Sequence, residues 1–351
     1  MAKTVEAAQD VAIIDFAPAL YGGPDDLKRV AATVVSACED IGFFYIANHP
    51  IPDDLRRRVF EEAANFFALP DERKMQVSME RSLNYRGYIP LNVLPKPENR
   101  RGAGVEGFQQ HLDDDATADS EAKELEPDAS ESFQIHRELA LDDPDVQAGK
   151  PLHGPNQWPA GLPLMRDTML EYFDAMSAFA KRVLEVFAVG LDLDPRLFGP
   201  YYVKSLMQVR LIHYPAQAPG ENVPVGVRPH SDAGALTLLM QDDVGGLEVR
   251  NKQGEWVLVP PIEDTYVVNI GDTMKLWTNN RFQSTPHRVI NTYGADRYSI
   301  PFFANPDYDA VIKPIPTCVD DENPPVFDTL HCGESMLHTY SRIWPSAPVE
   351  A

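Results

Sequence analysis

Three side chains in the second half of the chain have types and spacing suited to holding a metal ion. "RPHSDAGALTLLMQ" sets His230 and Asp232 two residues apart, and "NNRFQSTPHRVI" supplies His287, 55 residues beyond the aspartate. A His-x-Asp pair alone carries little weight. With nine histidines and 53 acidic residues among 351, such pairs arise by chance, and His111-x-Asp113 and His136-x-Glu138 compete. The first competitor lies in a Gly-flanked acidic stretch where nothing holds two side chains in register. The second, in "FQIHRELALDDP", is a candidate strand without a downstream partner. His230 and Asp232 instead open an apolar β-like run, where residues i and i+2 point to one face. His287 starts another such segment. Two imidazoles and one carboxylate on one side of an ion leave its other positions free, the arrangement suited to Fe(II) and O2.

Ten residues past His287, "ADRYSIPFF" adds Arg297 and, two further on, Ser299. On a strand both share one face. A guanidinium directed into a barrel is costly unless paired. Its planar fork suits a carboxylate, and a hydroxyl adds one more donor. Following a His-x-Asp…His set, the pair is what an anchor for a dicarboxylic cosubstrate requires.

Elements able to position these residues are legible in the apolar periodicity. "VAIIDF" reads as a short strand, residues 24–40 as a helix stopped by Gly42, "GFFYIANHP" as a strand, and residues around 52–67 as a second helix. Met165, Met169, Tyr172, Phe173, Met176, Phe179, Ala180, Val183 and Phe187 recur at steps of three and four, the stripe of one long core helix. From about residue 203, short runs rich in Val, Leu, Ile, Thr and Tyr alternate with Gly, Pro and Asn. That rhythm predicts a sandwich or jelly roll. The expected fold is α+β: a double-stranded β-helix over residues 201–345, flanked by N-terminal helices within residues 1–200. Residues 113–131 hold nine acidic residues against one lysine, so about 112–131 is expected as a flexible acidic loop. "GKPLHGPNQWP", 149–159, reads as a structured surface loop.

Composition narrows the partners. Lys and Arg total 31 against 53 Asp and Glu, a net charge of −22, which repels phosphate backbones and anionic lipid. No nucleic-acid partner and no membrane partner are expected, and a small-molecule substrate is. Cys38, Cys318 and Cys332 form no C-x-x-C pair, which suits a reducing compartment. "MAKTVEAAQD" has neither the basic start nor the apolar stretch of a secretory signal, and no run of 18 apolar residues occurs. A cytoplasmic location is the expectation. Oligomeric state stays open between a monomer and a small homo-oligomer.

The combination "HSD" (230–232), "GGLEV" (245–249), "VVNIGD" (267–272), "TNNRFQSTPHRV" (278–289) and "RYS" (297–299) resembles the Fe(II)/2-oxoglutarate-dependent dioxygenases of the isopenicillin N synthase-like superfamily. "IIDF" (13–16), "GFFYIANHPIP" (42–52) and "FFALPDERK" (66–74) extend the likeness over roughly residues 10–345. The resemblance implies that His230, Asp232 and His287 bind Fe(II). It implies that Arg297 and Ser299 hold the distal carboxylate of 2-oxoglutarate, with Tyr214 assisting, and that O2 oxidises a small organic substrate as succinate and CO2 leave. Hydroxylation is its default outcome. The pattern departs at Ile212, where many plant relatives carry Asn two residues before the tyrosine. Tyr88, Phe133 and Phe303 are candidate pocket liners, with ordinary packing as the competing reading. Two rival functions stay open: an isopenicillin N synthase-type oxidase working without 2-oxoglutarate, and a non-catalytic binding protein of the same fold.

Overall fold

The computed structural model describes residues 11–91, 128–217, 224–291 and 294–344. His111 and residues 112–127 of the acidic stretch lie outside these. The N-terminal strands are β1 (Ala12–Asp15), β2 (Phe43–Ala47), β3 (Gly87–Ile89) and β4 (Glu131–His136). They are followed by β5 (Gln208–Tyr214), β6 (Val227–His230), β7 (Leu236–Gln241) and β8 (Leu247–Arg250). The series continues with β9 (Trp256–Leu258), β10 (Thr265–Ile270), β11 (His287–Val289) and β12 (Arg297–Ala304). An eight-stranded sheet runs β1-β2-β10-β7-β12-β5-β4-β3 and faces a four-stranded sheet, β6-β11-β8-β9. From β5 onward the chain passes between them: β5 large, β6 small, β7 large, β8 and β9 small, β10 large, β11 small, β12 large. This alternation winds a double-stranded β-helix, the jelly roll that the turn spacing predicts. The large sheet draws strands from both sides of residue 200.

Period-two alternation gives that sheet two unlike faces. Val209, Leu211, Leu236, Leu238, Val268, Ile300 and Phe302 point outward to the helices, in one buried cluster with the long helix. Phe43, Tyr45, Ile212, Tyr214 and Val267 point inward, clustered with Leu247, Val249 and Val289 of the small sheet. The long helix spans Met165–Gly190, and all nine residues of its predicted stripe are buried. It packs against helices Pro24–Asp40 and Asp53–Phe67. Pro24 starts the first of these where a missing N–H is harmless, and Gly42, at φ +70, turns the chain out of it.

Two expectations need correction. The acidic loop does not reach 131, because Glu131 opens β4 and is buried. Segment 149–159 is a structured loop with Gly149 and Pro155 at the surface, but much of it is packed inward. Leu152, His153 and Asn156 are buried, Asn156 brackets the His136 backbone (Oδ1 from N at 2.9 Å, Nδ2 to O at 2.9 Å), and Gln157 Nε2 donates to Ser78 O and Arg86 O. It braces the β3–β4 edge.

Candidate metal centre

β6 ends at His230 and β11 begins at His287, and the two are antiparallel partners in register. Their ring centroids lie 4.3 Å apart. Each ring holds Nδ1 against a backbone carbonyl two residues back: His230 to Arg228 O at 2.8 Å, His287 to Thr285 O at 3.2 Å. A carbonyl only accepts, so Nδ1 carries the proton and Nε2 keeps its lone pair. Both Nε2 atoms face Asp232 Oδ1, at 3.7 and 3.8 Å. Those gaps exceed a hydrogen bond and leave room for an ion between the three groups. Among the described residues, no other three His, Cys, Asp or Glu side chains converge in this way, with one donor atom each within 4.8 Å of the others.

The pair does not open a strand as expected. His230 closes β6, and Asp232 sits in the turn before β7. The turn is pinned from the "VVNIGD" segment: Asp272 N donates to Asp232 O at 2.7 Å. Gly271 passes so close that a Cβ there would meet Gly234 O at 2.2 Å. Asp232 Oδ2 takes the Thr237 hydroxyl at 2.5 Å and the Asn269 amide at 2.7 Å, which leaves Oδ1 for the histidines. Thr237, Asn269 and Asp272 were not singled out from the sequence. Two of them lie in a quoted motif, yet nothing in their spacing reveals the carboxylate they serve. Asp272 is itself braced by Ser284 at 2.7 Å and Ser231 at 3.2 Å.

Burial alone would raise the Asp232 carboxyl. The adjacent His287 and His230 and the Thr237 and Asn269 donors outweigh it and hold the group below its ordinary 3.8. Burial pushes His287 down from 6.5, so its imidazole is neutral at neutral pH. An ionised carboxylate beside imidazoles with free Nε2 lone pairs is the donor set that a divalent iron takes, and the residues present fit that ion.

Deeper in the same interior, Arg297 is fully buried on the inward face of β12, paired in register with Tyr214. Its guanidinium lies 4.7 Å over the Tyr214 ring, and Nη2 donates to Gln241 Oε1 at 2.8 Å. Nε and Nη1 are buried without a hydrogen-bond partner among the described residues. The field of Asp242 reaches this cation, but among the described residues no carboxylate makes an ion pair with it. Ser299 lies two residues on along the same face, its hydroxyl 3.4 Å from Tyr214 Oη. Ile212, opposite Ser299, brings no polar group.

The three suggested pocket liners separate. Phe303 lies inward, partly exposed, and is paired with Thr237. Tyr88 and Phe133 are cross-strand partners on the outward face, buried against Phe66 of the helical layer. They are corrected here: strand parity turns both away from the metal centre. The His136 of the competing pair is a buried residue of β4, bonded to Gln134.

Comparison with known proteins covers the stretch that holds these residues. The 2OG-Fe(II) oxygenase superfamily pattern matches 205–306, and that of the N-terminal part of the non-haem dioxygenases in morphine synthesis matches 11–161. The 2-oxoglutarate-Fe(II) type oxidoreductase hxnY of Emericella nidulans is 35% identical over 95% of this chain and 90% of its own. The chain belongs to the 2OG-Fe(II) oxygenase superfamily. Clavatol oxidase claD of Penicillium crustosum is 34% identical over 84% of this oxygenase and 85% of its own length. A full-length Neurospora crassa protein, solved in complex with alpha-KG and thymine, superposes with a TM-score of 0.76 at 29% identity, covering 94% of this oxygenase and 96% of that chain. The protein is thus a 2-oxoglutarate-dependent, Fe(II)-dependent oxidoreductase that uses O2, and small molecules are the fitting substrates. No described helix is long and apolar enough to cross a membrane.

Proposed function

We propose that this oxygenase hydroxylates a small organic substrate, with His230, Asp232 and His287 as iron ligands and Arg297, Ser299 and Tyr214 as the cosubstrate seat. The observation that carries the seat is the fully buried Arg297 guanidinium in the interior shared with the triad, whose Nε and Nη1 have no hydrogen-bond partner among the described residues. It takes the distal carboxylate of 2-oxoglutarate in two-point fashion, and the Ser299 hydroxyl adds a donor. The Tyr214 ring beneath holds the guanidinium plane in place. Bound iron and 2-oxoglutarate supply the activation of O2, with succinate and CO2 as the cosubstrate's products. The chain's own contribution is to fix three donors, orient two reactants and keep water out. Phe303 lines the substrate space. Residues 201–345 act as the catalytic barrel, and residues 1–200 support and cover it. Three free, buried cysteines support a cytoplasmic enzyme, and the net charge of −22 argues against nucleic-acid and anionic membrane partners; a monomer and a small homo-oligomer both stay open.

The test is a paired measurement of oxygen uptake and succinate release with Fe(II) and 2-oxoglutarate across small ring compounds and amino acids. Succinate release dependent on both additions supports the reading. Oxygen uptake without succinate replaces it with an oxidase that works on its substrate alone.

A further inference from the structure

One inward-facing cation has no part in the cosubstrate seat. Along β5 the residues Gln208, Arg210, Ile212 and Tyr214 share the inward face, and the intervening Val209 and Leu211 are fully buried outward. Arg210 keeps part of its surface open, as do the inward-facing Leu239, Gln241 and Phe303 on the neighbouring strands. Several inward side chains that stay partly open together line an internal space. Arg210 Nε donates to Ser132 Oγ at 3.0 Å, and its guanidinium lies 4.7 Å over the Trp344 ring. Trp344 follows the C-terminal helix Cys332–Ile343, whose Tyr340 hydroxyl donates to Gln208 Oε1, so the end of that helix packs beside this part of β5.

The position relative to the chemistry follows from strand register. Arg210 lies two residues from Ile212, the partner of Ser299, and two from Gln208, the partner of Phe303. Phe303 is paired in turn with Thr237, which holds Asp232. Arg210 therefore stands about 7 Å along the strand from the cosubstrate row and about 7 Å from the row that supports the metal centre. Arg297, opposite Tyr214, is about 13 Å away along β5, too far for one small dicarboxylate to be shared by default.

Among the described residues no carboxylate makes an ion pair with Arg210. The acidic side chains whose fields reach Arg210 are Asp128 and Asp232. Asp128 is engaged by Arg228 at 2.9 Å, and Asp232 belongs to the triad. Partial burial lowers the guanidinium from its ordinary range. A cation in such surroundings is stabilised by an anion, and a planar fork with one face on an indole presents its free edge to a carboxylate.

We infer that Arg210 is a specificity-determining residue that binds a carboxylate of the prime substrate, whose apolar body lies along Phe303 and Trp344 toward the metal centre. The inference rests on the oxygenase reading above and names the substrate class: small carboxylic acids with an apolar ring or chain.

The test uses the full chain under argon with Fe(II) and saturating 2-oxoglutarate, which occupies Arg297. Calorimetric titration compares benzoate with benzamide, phenylacetate with phenylacetamide, and indole-3-acetate with indole-3-acetamide. At least one acid is expected to bind tenfold or more tightly than its amide. Arg210→Gln is expected to reduce that ratio to within twofold, and Arg210→Lys to retain most of it. Equal affinity within every pair, no binding by any acid, or an undiminished ratio in Arg210→Gln overturns the assignment. Because the wild-type ratio is decisive by itself, a variant that fails to fold does not rescue it. Succinate release is measured separately with the same acids. Succinate without an acid preference sinks Arg210 alone, and an acid preference without any succinate sinks the oxygenase reading alone.

Discussion

Two buried carboxylates with histidine neighbours in the fold, Asp232 and Glu131, differ in what surrounds them. Glu131 is saturated: Lys74 Nζ lies at 2.7 Å, Tyr88 Oη at 2.5 Å and His213 Nδ1 at 2.8 Å. Its charge is answered by a buried ammonium, and its donors close every approach. Asp232 has one oxygen saturated by Thr237 and Asn269, while the other faces two Nε2 atoms across 3.7 and 3.8 Å. A closed cluster holds the fold together, and an open one waits for an ion. The discriminating features are gaps beyond hydrogen-bond length and imidazole lone pairs directed at one point.

The comparison breaks most sharply at the open cluster. Asp232→Ala or His287→Ala is expected to leave a soluble chain that retains no iron and loses 2-oxoglutarate turnover by about a thousandfold or more, checked by metal content and succinate release. A variant that keeps full activity removes the triad. At the closed cluster, Glu131→Gln leaves the buried Lys74 ammonium only the exposed Asp71 at 3.1 Å and should cost about 3 kcal/mol of stability, measured by denaturant unfolding, while iron uptake per folded molecule persists. Its pH dependence has a definite sign. Burial alone would raise Glu131, yet its three donors hold it below the ordinary 4.5, so its contribution is full above about 4.5 and fades as acid takes the carboxylate through the lower folded value. The gap between wild type and Glu131→Gln should therefore narrow as the pH falls below about 4.5. Arg297→Gln removes a buried cation from its proposed partner, about 2 kcal/mol or more, read as a rise of at least thirtyfold in apparent KM for 2-oxoglutarate. Tyr214→Phe is the gentlest cut. Losing only the hydroxyl beside Ser299 should cost about 1 kcal/mol, a severalfold rise in the same KM.

How much of this was legible in the sequence follows from what sequence patterns encode. The stripe from Met165 to Phe187 is a local periodicity, and every member of it is buried. The triad and the Arg297–Ser299 pair were visible because residue type and separation together carry their chemistry. Tyr88 and Phe133 were misplaced because both faces of β4 are buried, so no alternation in the sequence says which side meets the barrel. Asp232 was read as a strand residue since the turn that holds it is made by Gly271 and Asp272, some forty positions away. Arg210 gave no signal at all in "LMQVRLIHY", because its meaning depends on which strands flank it.

The two facing sheets divide the labour of the interior. The small sheet and its adjoining turn carry the triad, whereas β5 and β12 of the large sheet carry Arg210, Tyr214, Arg297, Ser299 and Phe303. With the cosubstrate seat proposed on β12 and the end of β5, and Arg210 four residues away from Tyr214, exchanges at Arg210 can redirect the enzyme to a new compound while the triad and the seat go on performing the same reaction.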